Sequence, residues 1–294
     1  MSVELQFEKV PQVSLWKVLV GRKSGLREGD TLPRVQAAVK GLSAQECDAY
    51  QRVCGFPKSP WLPLTFPQVA ATPLHLAMVT HASFPLPAMG LVHVSNQITQ
   101  FRPIRQDEAL DLSCHVEGYR TARKGVEIDF HTAIDVAGER VWEGISTALS
   151  TAGPGDGIKR DRTDPPPIRP QRSTTWSLPA DQGRQYAQVS RDHNPIHLYA
   201  WAAKLFGFKR TLVHGMWTLA RCMAELDQDI PNKGVRVDVS FRRPVFLPSR
   251  VSFTSGKHND NTVFQVSDLS SHKLCLEGQV SAAPSETTRA ILRS

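Results

Sequence analysis

Two segments of the chain alternate apolar with polar residues. Over 126–130 and 235–241 every second residue is valine, isoleucine or phenylalanine. A period of two predicts β-strands with one face buried. Turn residues follow at Ala137-Gly138 and occur again at 258–261, which predicts further strands in both parts of the chain.

Two apolar segments predict buried helices. From Gly215 to Leu226 apolar residues lie on nearly every side of a helix, so this helix should be largely enclosed. A shorter counterpart runs over 74–82 and is stopped by Pro85 and Pro87. Since each helix precedes a block of strands, the pattern predicts an α+β fold in which an antiparallel sheet wraps around an enclosed helix.

A stretch rich in proline and glycine divides the chain. Residues 153–173 contain Gly-Pro-Gly, a run of prolines and a further Arg-Pro pair. Proline fixes φ and lacks an N–H, so this stretch cannot run through a helix or a central strand. We predict a linker over 153–173 between a first half, 1–152, and a second half, 174–294.

The two halves resemble each other weakly. Residues 42–53 align with 178–189, with leucine, alanine, tyrosine and valine at matching positions. Farther along, Arg-Pro-Ile at 102–104 matches Arg-Pro-Val at 243–245. Self-similarity of this kind predicts a duplicated structural unit.

Composition indicates a globular protein. Hydrophobic residues make up 40% of the chain, and no apolar run is long enough to span a bilayer. The N-terminal residues lack the apolar core of a secretory signal. The 5 cysteines are scattered, without a Cys-x-x-Cys pair, which suggests reduced, buried thiols and a cytoplasmic location.

The formal net charge of +7 has several interpretations. The basic residues form no dense cluster and aromatic residues are only 7% of the chain, so we expect no nucleic-acid partner. A substrate bearing phosphates, or an acidic carrier protein, would suit this charge. A solvated basic surface without a dedicated partner explains it equally well.

Two titratable residues lie close together in the second half. Asp192 and His197 flank Pro195, which interrupts any regular helix and predicts a bend that brings both side chains together. A carboxylate and an imidazole that share one water form an acid–base unit, which is typically worth ~10²–10⁴ in rate. Asn194 supplies an amide that either orients a water or holds the loop.

The same residues allow two other interpretations. Asp-x-Asn-Pro is also a common turn, with the aspartate as a cap and the histidine incidental. His193 and His197 have the i, i+4 spacing of a metal pair. Pro195 breaks the helix that such a pair needs, and no third ligand is apparent, so we expect no metal.

Gly215 begins the enclosed helix, directly after His214. The first N–H groups of a helix have no partner within it, and a glycine allows a ligand carbonyl to approach closely. This predicts an oxyanion site, where loss of one donor typically costs roughly 10²–10³ in rate. Close helix packing is the alternative reason for the glycine, and His214 reads as a loop or supporting residue.

The alignment of the halves offers an internal comparison. Phe56 occupies the position of Asp192, Lys58 that of Asn194, and Trp61 that of His197. One half therefore keeps acid–base residues while the other has aromatic residues there. We expect the first half to shape an apolar cavity.

These motifs identify a family. Ser190-Arg-Asp-His-Asn-Pro-Ile-His197, together with His214-Gly-Met216, resembles the MaoC-like, (R)-specific enoyl-CoA hydratase family, or hydratase 2. The resemblance implies a double hot-dog fold with a first half that has lost its catalytic residues. It also implies reversible syn hydration of a trans-2-enoyl thioester to the (R)-3-hydroxyacyl thioester, with no metal or redox cofactor.

The resemblance also implies roles for residues. Asp192 and His197 would hold the catalytic water, and the N–H of Gly215 would polarise the thioester carbonyl. The supporting residues would be Asn194, Ser190 and Tyr186. Arg191 departs from the family, which usually has glycine there; if this position requires positive φ, arginine costs about 1 kcal/mol or more.

Further residues are expected at the substrate. Phe56 and Trp61 would bound the acyl chain. The cations Arg191, Lys204, Lys209 and Arg210 would meet phosphates of the carrier. For each of these cations, an exposed surface residue is the simpler interpretation.

Three functions are considered together. The first is an enoyl-thioester hydratase or 3-hydroxyacyl-thioester dehydratase acting on an acyl-CoA or an acyl carrier protein thioester. The others are a non-catalytic acyl-thioester binding subunit and a hot-dog thioesterase. A homodimer is compatible with the sequence, as are several acyl chain lengths, either carrier and either direction of reaction.

Overall fold

The alternating and apolar segments form the predicted elements. The computed structural model describes residues 2–13, 23–44, 46–116, 118–158, 168–230 and 234–284. The first half contains β1 (Ser2–Phe7), β2 (Arg34–Leu42), α1 (Cys47–Cys54), α2 (Phe66–Ala70), α3 (Thr72–Thr80), β3 (Leu91–Gln100), β4 (Leu110–Val116), β5 (Arg120–Ala122), β6 (Gly125–Val136) and β7 (Glu139–Ser150).

The second half repeats this order. It contains β8 (Arg172–Leu178), α4 (Gln182–Ser190), α5 (Pro195–Leu198), α6 (Ala200–Leu205), α7 (Gly215–Glu225), a short 3₁₀ turn at Asp227–Asp229, β9 (Val235–Phe241), β10 (Ser249–His258), β11 (Asn261–Asp268) and β12 (Leu274–Ala282). The alternating segments 126–130 and 235–241 lie in β6 and β9, as predicted.

One sheet runs through both halves. Its strand order is β1-β2-β4-β6-β7-β3-β9-β12-β11-β10-β8, with β5 beside β6. All neighbours pair antiparallel except β1 and β2, which are parallel. The order of strands in the second half reverses that in the first, so the structure is the double hot-dog of the α+β class that the family resemblance implies.

The halves are joined by backbone pairing. β3 pairs with β9 from Ser95 opposite Ser240 to Gln100 opposite Val235. The halves also meet through α1 and α4, where the ring centroids of the aligned Tyr50 and Tyr186 lie 6.2 Å apart. The halves therefore form one continuous core.

Each half encloses a helix. In the first half α3 follows α2 directly in the chain. Trp142 on β7 is buried in this half, and its indole N–H donates to the Leu64 carbonyl over 2.9 Å. In the second half α7 buries Trp217, and its indole N–H donates to the Val53 carbonyl of the first half over 3.0 Å. The Trp142 bond ties two parts of the first half together, whereas the Trp217 bond joins α7 to the opposite half.

The predicted linker is partly described. β8 begins at Arg172, inside the predicted 153–173 boundary, and the Gln171 N–H already donates to the Ser255 carbonyl over 2.8 Å. Residues 159–167, which hold the run of prolines, lie outside the described residues.

Two predictions from composition can be compared with the structure. All five cysteines are buried and free, as expected for reduced thiols. Among the described residues, no helix has both the length and the apolar character needed to cross a membrane.

Candidate active site

A cavity of about 440 Å³ lies between the two halves. Its second-half wall comes from the ends of α4 and α7 and the segment between them. The predicted residues on this wall are Tyr186, Ser190, Asp192, Asn194, His197 and Gly215. The proposed acid–base residues and the predicted oxyanion donor thus share one enclosed space.

A residue in the left-handed backbone conformation precedes Asp192 and places it at the cavity. α4 ends at Ser190, and Arg191 takes φ 58° and ψ 11°. Non-glycine residues enter this region at a cost of roughly 1–2 kcal/mol. This is the conformation that the family's usual glycine would adopt without strain.

The Asp-x-Asn-Pro segment forms a turn at the edge of the cavity. The Asn194 N–H donates to Oδ1 of Asp192 over 3.1 Å, and Oδ1 of Asn194 accepts from the Ile196 N–H over 3.3 Å. Pro195 is the first residue of α5, where its missing N–H costs nothing. The residue that caps α5 is therefore Asn194, whereas the turn interpretation expected Asp192. Asp192 instead lines the cavity.

Three titratable side chains converge. One carboxylate oxygen of Asp192 and one ring nitrogen each of His197 and His214 all lie within 4.8 Å of one another. Nδ1 of His197 is 2.8 Å from the Leu212 carbonyl oxygen, which can only accept. Nδ1 therefore carries the proton, and Nε2 presents a lone pair.

His214 locks the turn in place. Its Nε2 donates to the main-chain carbonyl of Asp192 over 3.0 Å and lies 3.8 Å from the Asp192 carboxylate. Its ring stacks on His197 at a centroid distance of 3.7 Å and lies 5.0 Å from the ring of Tyr186. This supporting position agrees with the expectation for His214 from sequence.

Burial and mutual contact set the charges of this cluster. Burial works to raise the pKa of Asp192, but His214, His197 and the Asn194 N–H together hold that pKa below its ordinary value. Burial lowers the pKa of His197, although Asp192 and the Leu212 carbonyl oppose it, and burial lowers the pKa of His214 to about 3. An ionised carboxylate beside two neutral imidazoles is the result near neutral pH.

Gly215 is the first residue of α7 and lines the cavity. Its N–H is one of the helix donors that have no intrahelical partner. A Cβ at Gly215 would come within 2.9 Å of the Phe241 ring. Packing therefore explains why this position is a glycine, and the oxyanion role of its N–H stays a prediction.

The cluster also has the donor types of a metal site. Sequence reasoning found no third ligand beside His193 and His197, whereas the structure groups Asp192, His197 and His214. The expectation that the protein uses no metal stays a prediction.

The predicted acyl-chain residues lie elsewhere. Phe56 is buried and stacks against Tyr50, with centroids 6.3 Å apart. Trp61 lies on another surface, where the Arg105 guanidinium is 5.7 Å from its ring. Neither lines the cavity, so the expectation for these two residues has to be corrected.

The predicted cations also lie outside the cavity wall. Arg191 forms an ion pair with Glu46 of the first half at 2.9 Å. Lys204 and Lys209 are exposed, and Arg210 donates to the Pro248 carbonyl over 3.1 Å. An exposed cation that does line the cavity is Arg243, which belongs to the repeated Arg-Pro motif.

Sequence reasoning missed the polar residues of the first-half wall. His75 on α3 and His93 on β3 both line the cavity, and His93 lies near enough to Asp192 for that carboxylate to raise its pKa, against the larger lowering by burial. A histidine in an otherwise apolar helix was the available signal for His75.

Known proteins are similar to this chain in sequence and in fold. The family model described as MaoC like domain matches residues 160–277. The 3-hydroxyacyl-thioester dehydratase X of Mycobacterium tuberculosis is 35% identical over 228 residues, covering 75% of this chain and 79% of the relative. The (R)-specific enoyl-CoA hydratase of Aeromonas caviae is 36% identical over 70 residues, or 23% of this chain and 52% of the relative.

The crystal structure of HtdX from Mycobacterium tuberculosis superposes with a TM-score of 0.73 at 29% identity, covering 83% of this chain and 98% of that chain. A MaoC-like dehydratase from Phytophthora capsici, at 18% identity and a TM-score of 0.64, covers 93% of this chain and shares its fold.

Proposed function

Because the chain belongs to the MaoC-like dehydratase family and is a hydro-lyase, we propose that it interconverts trans-2-enoyl thioesters and (R)-3-hydroxyacyl thioesters. The observation that carries this proposal is the convergence of Asp192 and His197 on the cavity that Gly215 also lines. The two relatives named above carry the corresponding activities in their names.

Asp192 and His197 hold the reacting water between them. The carboxylate accepts one hydrogen bond from the water and Nε2 of His197 accepts the other. In the hydration direction the pair takes one proton from the water as the water oxygen bonds to C3 of the enoyl group and the electrons of the C2–C3 π bond move toward C2. The pair then returns that proton to C2 on the same face, so the two residues share the base and acid roles and end in their starting states. Dehydration is the reverse of these steps.

Gly215 stabilises the charge that develops on the thioester oxygen. As C3 is attacked, electron density moves onto the carbonyl oxygen, and the N–H at the start of α7 donates to it. The helix dipole acts in the same direction. An oxyanion donor of this kind typically contributes roughly 10²–10³ in rate.

The remaining predicted residues support this geometry. Asn194 caps α5, and Oγ of Ser190 accepts from the Asp192 N–H over 3.3 Å. The buried Tyr186 packs against His214. The first half supplies the opposite cavity wall, against which the acyl chain lies.

Arg243 is placed to contact the carrier of the thioester. It is exposed and lines the cavity, and its Nη1 donates to the Leu274 carbonyl over 3.0 Å. A guanidinium fixed in this way binds a phosphate of either coenzyme A or an acyl carrier protein arm. The carrier is therefore decided by comparing the two thioesters as substrates.

The experiment is a spectroscopic assay with product analysis. Adding the protein to enoyl-CoA thioesters of several lengths should lower the ultraviolet absorbance of the conjugated enoyl thioester, and chiral analysis should give the (R)-3-hydroxyacyl product. Release of free thiol would instead indicate a thioesterase. Binding without turnover would indicate an acyl-thioester binding subunit.

A further inference from the structure

The first-half wall of the cavity is mostly apolar, but it also carries a group of hydrogen-bonding side chains. Gln68 on α2 and Thr72 and His75 on α3 follow one another at helical spacing and line the cavity. Ser146 on β7 lines the same wall, and its Oγ accepts a hydrogen bond from the Asn96 amide over 2.7 Å. These four residues form the polar wall.

Gln68 is the unsatisfied member of the polar wall. The residue is only 5% exposed, and its Oε1 is buried without a donor from the described residues. Oε1 lies close against the sheet, 3.0 Å from where a Cβ on Gly144 would stand. An amide oxygen buried without a donor is unfavourable, so a ligand that brings a donor to it gains affinity.

The charge state of this wall favours a neutral ligand group. Nε2 of His75 is 2.8 Å from Oγ1 of Thr132. Burial lowers the pKa of His75 and that of the neighbouring His93 to about 4. Both imidazoles are therefore neutral near pH 7 and supply no charge to hold a carboxylate, whereas a hydroxyl can both donate and accept.

Resting on the proposed hydratase function, we propose that the polar wall binds a hydroxyl group on the acyl chain of the substrate. Oε1 of Gln68 is closed off from the cavity before a ligand binds, so the amide turns toward the cavity to accept a hydrogen bond from the hydroxyl. The same hydroxyl accepts from a polar neighbour on Thr72, His75 or Ser146. The substrate class is then an oxygenated enoyl thioester, with a hydroxyl beyond the reacting double bond.

A second buried glutamine with an unpaired amide oxygen provides a control, because it lies outside the cavity. Gln100 on β3 is also buried, and its Oε1 also has no partner among the described residues. It does not line the cavity. Gln100→Met is therefore a matched control for Gln68→Met.

The test compares medium-chain enoyl-CoA thioesters of one length, either plain or with one hydroxyl moved stepwise along the chain. For the wild-type protein, kcat/KM should be about tenfold or more higher for one hydroxyl position than for the plain chain, because only that position pairs with Gln68. A plain chain that is preferred throughout, or equal rates for every position, would overturn the proposal.

The variants locate the effect. Gln68→Met should remove the preference for that hydroxyl position, and Gln100→Met should keep it. A preference that survives Gln68→Met overturns the assignment to this residue. The wild-type comparison stands even when a variant fails to fold.

Binding measurements separate this proposal from the proposed function. Saturated acyl-CoA thioesters, plain and hydroxylated, cannot be hydrated, and their dissociation constants are measured by calorimetry. Tighter binding of the hydroxylated chain without any hydration of enoyl thioesters would support the polar wall and contradict the hydratase function. Hydration of enoyl thioesters with equal turnover and equal binding of plain and hydroxylated chains would support the hydratase function and contradict the polar wall.

Discussion

Nδ1 of His197 donates a hydrogen bond to the Leu212 carbonyl oxygen over 2.8 Å. This bond assigns the proton to one ring nitrogen and the lone pair to the other, before any substrate is bound. The orientation of the imidazole is therefore set by main-chain geometry between α6 and α7, and several measurable consequences follow.

The pH dependence should reflect a neutral His197. Only the neutral ring can accept a proton, and burial lowers its pKa below the ordinary 6.5. The neutral form therefore persists as the pH falls, and the acid limb of kcat/KM should have its midpoint below pH 6.5. A midpoint at or above this value would contradict the assignment.

Removing either member of the acid–base pair should slow turnover strongly. Asp192→Asn and His197→Ala should each lower kcat by about 10²–10⁴, with folding checked by circular dichroism. Asp260→Asn and His258→Ala, at the exposed turn between β10 and β11, are matched controls with activity near wild type. Full activity in Asp192→Asn would refute the mechanism.

Gly215→Ala should impair both stability and rate. The added Cβ meets the Phe241 ring at 2.9 Å, and overpacking of this kind typically costs about 1–3 kcal/mol. Adding Phe241→Leu should recover much of the thermal stability, because a smaller side chain makes room. If the double variant also regained full kcat, a requirement for open backbone at Gly215 would be excluded.

Arg191→Gly should differ in stability from Arg191→Ala. Both remove the exposed ion pair with Glu46, which is worth little. Only glycine relieves the positive φ of 58°, so it should be more stable than the alanine variant by about 1 kcal/mol in denaturant unfolding. Equal stabilities would show that the turn tolerates a Cβ without strain.

The local features of the site were predictable from sequence. Pro195 between Asp192 and His197 imposes a bend whatever the rest of the fold does, and the start of an apolar helix at Gly215 is visible in the pattern. The sequence also indicated that arginine at position 191 would be strained if the backbone there has positive φ, and Arg191 does have the positive φ that favours glycine.

The features that failed depend on how the two halves meet. Phe56 and Trp61 align with Asp192 and His197, but an aligned residue occupies the equivalent place in its own half and not the place that faces its counterpart. Gln68 and His93 belong to the first half, yet they line a cavity that the second half completes. Periodicity within one half contains no information about that contact.

The pairing of β3 with β9 has one more consequence. Two identical chains meeting in this way would carry every substitution twice, so a change that suited the acyl chain would also alter the residues that act on water. Covalent connection of unequal halves removes that constraint. One wall of the cavity is then free to diverge with the shape and polarity of the substrate while the other wall keeps its chemistry.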